Sequence, residues 1–351
     1  MDAPLTLTDI EGLAAERLDP DWREYLEGGA GDERTLRENL VAFARRRLRQ
    51  RVLCGIDAVS TATTVLGHPV GSPVVVAPVA YQRMAHPDGE EGMARAAAAS
   101  GCAFCLSTFS TASTAEVATA APDAVRFLQV YVFRDHGVTD ELIAQALDLG
   151  FSAVFLTVDL PLPGSRDRER RIRWTFSDDS LPAVRYALGR GNGGSGQWPE
   201  LIDPALDWAY LERLCSRLDV PVVVKGVLDA EDAELAAAHG AAGVVVSNHG
   251  GRQLDGVSST IDALQPVVEA VGDRLEVLLD GGIRRGTDVA IALALGAQAV
   301  LAGRLPMWGL AAGGGSGVQT VLELLREEFA IALHLTGCRS PADLSASNLV
   351  L

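Results

Sequence analysis

Eight short apolar runs recur along the chain, and after each the apolar positions return every three or four residues. The runs are VVVAP (74–78), FCLSTF (104–109), RFLQVYV (126–132), AVFLTVD (153–159), VPVVVKGV (220–227), GVVVSNHGG (243–251), EVLLDGGI (276–283) and AVLAGR (299–304). They are rich in Val and Leu with little alternation, the pattern of parallel strands buried on both faces. The intervening stretches, such as 90–100 and 229–240, are Ala-rich and amphipathic. Four of them stop at Gly101, Gly150, Gly240 and Gly296. A glycine just past the last periodic residue takes the left-handed conformation that closes a helix. Strand, helix, glycine, strand, eight times over, predicts an α/β fold closed as a (β/α)8 TIM barrel. A doubly wound open sheet is the alternative, and eight near-regular units disfavour it.

Strand starts lie 22 to 33 residues apart except once, where 67 residues separate Ala153 from Val220. The excess, 160–205, predicts a lid loop over the barrel mouth after the fourth strand. It holds RDRERRIR (166–173), which reads as a solvated face apart from Arg166, and the turn-rich GRGNGGSGQWP (189–199). Residues 1–70 are expected to form a helical extension packed on the barrel (71–351), with the whole chain 1–351 a single domain.

Composition narrows the partners. Thirty Lys plus Arg against 46 Asp plus Glu give a formal charge of −16. That excludes nucleic acid, which needs a concentrated basic face, and disfavours an anionic membrane surface. The charge-free run 289–303 is shorter than the ~20 residues of a membrane span, and the N-terminus lacks the flank and core of a signal peptide. Five cysteines, odd in number and sparse, fit a reducing cytoplasm better than a disulfide framework. Cys102 and Cys105 form a lone CxxC, and no His pair has ligand spacing. Both thiols therefore read as buried, and no metal is expected.

In such barrels the reacting groups project from the C-terminal ends of the strands. Those ends carry Ser107, Gln129 and Tyr131, Thr157 and Asp159, Lys225, Ser247 and His249 with Arg252, Asp280 with Arg284, and Gly303 with Arg304. One polar residue after a buried strand is usually a cap; seven strands ending this way imply a large polar ligand in the mouth. Gly281, Gly282 and Gly303 follow the seventh and eighth strands, the usual phosphate site of barrels. Glycines bring backbone N–H groups close to an anion, and Arg284 and Arg304 add forked donors. His249, directly after VVV, is the candidate acid–base group. Arg252 can hold a carboxylate beside it, and Asp159 can orient the imidazole and stabilise its protonated form. Against the acidic whole, the mouth is expected to be locally basic, with Lys225 and four arginines.

Seven segments (SNHGGRQLDG, LDGGIRRGTDV, VVVKGV, LTVD with Arg166 seven residues past its Asp, QVYVFRD, LSTFSTAS and APVAYQRMAHPDGE) resemble the FMN-dependent α-hydroxy acid oxidase and dehydrogenase family. The resemblance runs from Leu5 to Asp343. It implies FMN as cofactor, with the backbone of Pro78, Val79 and Ala80 facing the flavin and Ser107, Gln129 and Thr157 bonding its ring. It also implies Lys225 at the ring's N1 edge, Ser247 in the cofactor site and Asp280 on the ribityl chain. Gly281, Gly282, Arg284, Gly303 and Arg304 would take the phosphate. His249 would be the catalytic base paired with Asp159, Arg252, Arg166 and Tyr25 would hold a substrate carboxylate, and Tyr131 would contact the substrate.

The implied reaction oxidises a 2-hydroxy acid to the 2-oxo acid, with O2 or another acceptor, in a homo-tetramer or octamer. Phe109 and Tyr81 stand where glycolate oxidases commonly carry Trp and Met. Tyr81 resembles the hydroxymandelate oxidases, where a ring can stack on an aryl substrate or simply line the flavin pocket. Ala80, where some membrane-bound mandelate dehydrogenases have Gly, points to an oxidase. Aryl substrates such as mandelate or 4-hydroxymandelate and small ones such as lactate or glycolate both stand open. A non-oxidative FMN isomerase would need a diphosphate site in place of the Tyr25, Tyr131, Arg166, His249 and Arg252 set.

Overall fold

The computed structural model describes residues 6–173, 181–189 and 198–350. Eight parallel strands close into a barrel: β1 (Val74–Val76), β2 (Ala103–Leu106), β3 (Arg126–Val130), β4 (Val154–Thr157), β5 (Val222–Val227), β6 (Gly243–Val246), β7 (Glu276–Leu279) and β8 (Ala299–Ala302). Each pairs with the next and β8 with β1, so the barrel has no open edge. Every predicted run contains one strand, but seven of the eight strands stop short of their run; β2 ends at Leu106 rather than Phe109, and β6 at Val246 rather than Gly251. Past those points side chains replace the ladder as partners. Ser107 Oγ accepts the Phe109 N–H (3.1 Å), Thr108 Oγ1 that of Tyr131 (3.0 Å) and Ser247 Oγ that of His249 (3.1 Å). Ser107, Thr108 and Ser247 therefore stand in turns past their strands, whereas Gln129, Thr157 and Lys225 are still in the ladder.

Alternate strand residues face opposite ways. Val75, Cys105, Phe127, Phe155, Val223, Val245, Leu278 and Leu301 share one buried cluster that fills the barrel. Their neighbours, such as Leu106, Leu128, Leu156 and Val224, join a second cluster with the surrounding helices. The helices before β2, β4, β6 and β8 end as expected, with Gly101, Gly150, Gly240 and Gly296 at φ +68°, +81°, +88° and +101°. Cys102 and Cys105 are buried free thiols, and burial pushes the Cys102 thiol up to about 12.

The N-terminal extension is helical only as far as Arg45, in Leu7–Arg17, Pro20–Glu27 and Arg34–Arg45. Beyond it, Arg47–Leu48 pairs with the chain's end at Leu349–Val350, and Thr63–Val65 forms a hairpin with His68–Val70. β-Branched residues flank a Leu66-Gly67 turn with both φ positive, the geometry of a tight hairpin. Val65, Leu66 and Val70 pack into the interior cluster and plug the barrel bottom.

In the long insertion, the described residues form helices Asp167–Arg171, Pro182–Gly189 and Trp198–Leu201. Most of the turn-rich stretch 189–199 lies outside the described residues. Among the described residues no helix is long and apolar enough to cross a membrane.

Candidate active site

A cavity of about 390 Å³ opens at the C-terminal ends of the strands, within the ordinary size range for small-molecule sites. Every site residue expected from the sequence lines it except two. Asp159 stands behind His249, and Ser247, fully buried, stands behind Lys225 and His249. The helix Pro20–Glu27 of the extension delivers Tyr25 to the same cavity.

His249 sits at φ +58°, a left-handed backbone that costs a non-glycine residue about 1–2 kcal/mol. Its turn is built to hold it. Asn248 exchanges two amide hydrogen bonds with Asn39, both 2.8 Å, and its backbone and side-chain oxygens both accept from Gly251 N–H. Strain held this firmly aims one side chain. His249 Nδ1 lies 2.9 Å from Asp159 Oδ1, and Nε2 lies 3.4 Å from the Tyr131 hydroxyl. A carboxylate only accepts, so Nδ1 carries the proton and Nε2 keeps its lone pair toward the cavity. Burial lowers the His249 pKa more than Asp159 raises it, leaving the imidazole neutral. Burial alone would raise the Asp159 carboxyl, but His249 and Lys225 outweigh it and keep the group ionised. Burial drives the Tyr131 hydroxyl upward, so it remains a proton donor.

Beside this pair stand two arginines. The Arg252 guanidinium lies 4.7 Å from the centre of the Tyr25 ring, a stacked cation. Glu169 Oε1 is shared between Arg166 Nη1 (3.2 Å) and Arg252 Nη2 (3.0 Å). Arg168 is paired as well, to Glu33 and Glu24. The expectation of a solvated face around Arg166 is thus corrected: Arg170, Arg171 and Arg173 are exposed, but Arg168 and Glu169 are tied inward. The pull is electrostatic, because partly buried guanidiniums recruit the nearest carboxylates.

The opposite half of the cavity is lined by polar strand ends. Gln129 accepts from Ser107 Oγ and Thr108 N–H and donates to Thr157 Oγ1 at 3.0 Å. Buried Lys225 donates to Asp280 Oδ2 (2.9 Å) and Ser247 Oγ (3.0 Å). Burial pulls its pKa down, but Asp280 and Asp159 more than restore it and keep the ammonium charged. Arg304 donates from Nε, Nη1 and Nη2 to the carbonyls of Leu26, Gly250 and Gly28, each at 3.0 Å. Two of its five N–H groups therefore stay uncommitted. Arg284 lies over the Trp308 ring at 4.8 Å. The mouth holds the five expected cations, but its excess of positive charge is smaller than expected. Glu169 and Asp280 line the same cavity and pair with Arg252 and Lys225, and Asp159 stands behind His249.

This half fits FMN on its own evidence. Asp280 Oδ1 is buried with no hydrogen-bond partner among the described residues, an acceptor suited to a polyol hydroxyl. Gly303 has an ordinary φ of −103°, and a Cβ there would meet nothing closer than 3.6 Å. The protein does not require glycine at that point, so its bareness serves whatever enters the cavity. Gly282 is different: its φ is +90° and a Cβ would strike the Asn39 carbonyl oxygen at 2.4 Å. That glycine is needed for the extension to dock.

Among the site residues that escaped the sequence are Asn39, Glu169 and Gln253. Another is Glu90, buried and accepting from Gln82 N–H, Thr111 N–H and Thr111 Oγ1, where it ties the loop bearing Tyr81 to the loop after β2. In sequence it reads as one more acid in a first helical turn.

Comparison with known proteins carries the same message. The profile of the FMN-dependent dehydrogenase family matches residues 14–351. Glycolate oxidase 5 of Oryza sativa subsp. japonica is 42% identical, covering 98% of this chain and 95% of its own length. L-Lactate oxidase of Nostoc sp. is also 42% identical, covering 100% of this chain and 99% of its own length. A mandelate oxidase variant solved with (S)-mandelic acid superposes with a TM-score of 0.89 at 39% identity, covering 99% of this chain and 98% of that one. With likeness of this extent in both sequence and structure, the chain belongs to the FMN-dependent dehydrogenase family, and FMN is its cofactor.

Proposed function

We propose that this protein oxidises an (S)-2-hydroxy acid to the 2-oxo acid, with O2 as acceptor and H2O2 as second product. The observation that carries this reading is a neutral imidazole, its Nε2 turned toward the Tyr131 hydroxyl, in one cavity with the Arg166 and Arg252 pair. FMN, when bound, takes up the two electrons and returns them to the acceptor. Arg252 and Arg166, with Tyr25, bind and orient the substrate carboxylate. His249 Nε2 accepts one substrate proton, and Asp159 stabilises the imidazolium that forms. Tyr131 donates a hydrogen bond to a substrate oxygen and keeps its proton, because burial raises its pKa. Lys225, charged and buried, supplies the positive potential that a reduced ring requires.

The substrate's side chain meets aromatic walls. Phe109 stacks on Tyr131 with centroids 5.0 Å apart, and Tyr25 meets Tyr81 edge-on at 5.7 Å. These rings favour an aryl substrate of the mandelate kind, which agrees with the mandelate oxidase neighbour. The glycolate and lactate oxidases at 42% identity favour a small aliphatic acid as the second reading. Anaerobic mixing of the yellow holoprotein with mandelate, 4-hydroxymandelate, lactate and glycolate tests both. Bleaching by at least one is expected, with mandelate the fastest; bleaching by none of a broad panel overturns the function. Faster reduction by glycolate or lactate selects the second reading.

A further inference from the structure

Each nitrogen of the Arg166 guanidinium makes one hydrogen bond, which engages three of its five N–H groups. Nε donates to the Arg252 carbonyl (3.1 Å), Nη2 to Gln253 Oε1 (3.3 Å) and Nη1 to Glu169 Oε1 (3.2 Å). Arg252 spends Nη1 on the carbonyls of Tyr25 and Gly28 (2.6 and 3.1 Å) and Nη2 on the same Glu169 oxygen (3.0 Å). The carboxylate that unites the two side chains is therefore the protein's own. Glu169 is carried on the helix Asp167–Arg171, its side chain is 19% exposed, and it lines the cavity that His249 lines.

The partners of these arginines differ in kind. Backbone carbonyls are fixed by the fold, whereas a glutamate side chain on a five-residue helix turns about its own bonds. The point where both arginines donate to one oxygen is held by Glu169 Oε1, so a carboxylate that is to be shared between them there competes with Glu169. Charge sets a second condition. Two guanidiniums minus one glutamate leave a single positive charge, enough for one substrate carboxylate. A second carboxylate would meet Glu169 in a partly buried, weakly screened site.

We propose that Glu169 is a specificity-determining residue: it fills the two-arginine clamp until a monocarboxylate displaces it, and its charge turns dicarboxylates away. This rests on the reading of Arg166 and Arg252 as the substrate clamp.

The test reads binding without turnover. FMN-loaded protein is titrated calorimetrically with acetate and with malonate, neither of which has a hydroxyl to oxidise. Glu169→Gln, which keeps the shape and removes the charge, should tighten acetate several-fold. It should tighten malonate by about tenfold more than acetate, because like-charge repulsion is relieved. Glu169→Asp keeps the charge, and its preference for acetate over malonate should stay within about twofold of the wild type; this variant covers the case in which Glu169→Gln does not fold. If Glu169 merely braces the arginines, Glu169→Gln weakens both ligands alike, and the proposal is overturned. Equal tightening of both ligands, or no binding of either to any form, overturns it too. The proposed function is judged separately by bleaching. Altered acetate and malonate binding with no bleaching by any 2-hydroxy acid would leave the clamp standing and remove the oxidation.

Discussion

The interior of the barrel and its rim are built from the same strands, two residues apart, and differ in every chemical respect. Cys105, Phe127, Phe155, Val223, Val245, Leu278 and Leu301 fill the interior. Two positions further along stand Ser107, Gln129, Thr157, Lys225, Ser247, Asp280 and Gly303. A step of two keeps a side chain on the same face of a strand, which sets Gln129, Thr157 and Lys225 above Phe127, Phe155 and Val223; the other four follow immediately past their strand ends. Below, Phe127 and Phe155 stack with centroids 5.4 Å apart; above, Gln129 donates to Thr157 at 3.0 Å. The lower layer is held by apolar burial alone. The upper layer is nearly as buried, yet its polar side chains are tolerated because each makes at least one hydrogen bond. Asp280 Oδ1 is the atom left over for a ligand. Stability and chemistry are thereby stacked rather than mixed, and substitutions in the two layers should fail in different ways.

The largest effect is expected at the rim. His249→Ala removes the base, and stopped-flow reduction of the flavin should slow by about 10²–10⁴-fold, the usual range for a lost general base. Bound FMN and the thermal transition should be retained, since His249 supplies no interior packing. Loss of FMN or of fold in this variant would show that the layers are not separable. One layer down, Phe155→Ala empties a fully buried position and should destabilise by about 3–5 kcal/mol in denaturant unfolding. The fraction that remains folded should reduce at nearly the wild-type rate. A large fall in rate per folded molecule would mean that the interior steers the rim directly.

The two layers also explain what could be read from the chain. The strands were legible because burial on both faces leaves runs such as VVV that few other environments permit. His249, Lys225 and Asp280 were legible because each interrupts such a run at the mouth. Strand lengths were overestimated for the same reason: polar residues at the ends look like strand continuations until their side chains are seen capping the turns. What stayed hidden depends on distant partners. Glu169 meets Arg252 across 83 positions and Asn39 meets Asn248 across 209, and neither pairing leaves a periodic trace. Within RDRERRIR an acid between arginines reads as solvated, and only its meeting with Arg166 and Arg252 at the cavity turns it inward. The hairpin at 63–70 escaped because eight residues of strand and turn carry too little pattern to stand out from an extension that begins with three helices.

A smaller effect tests the link between Asp159 and His249 more finely than loss of either group. Asp159→Asn keeps a hydrogen-bonding group near Nδ1 but removes the charge that stabilises the imidazolium, and reduction should slow by about 10²-fold. The pH profile then carries the sign. The active base is the neutral imidazole, so kcat/KM falls as the pH drops through the His249 pKa. That pKa lies below the ordinary value of about 6.5 because burial lowers it more than Asp159 raises it. The wild-type acid limb should therefore be centred below 6.5, with a plateau through neutrality. Removing the Asp159 charge takes away the raising influence and leaves burial unopposed. The limb should then move to still lower pH while the plateau rate drops, the two changes running in opposite directions. A limb that stayed in place would show that Asp159 orients the ring without setting its charge. A limb that moved up would assign the titration to another group at the rim.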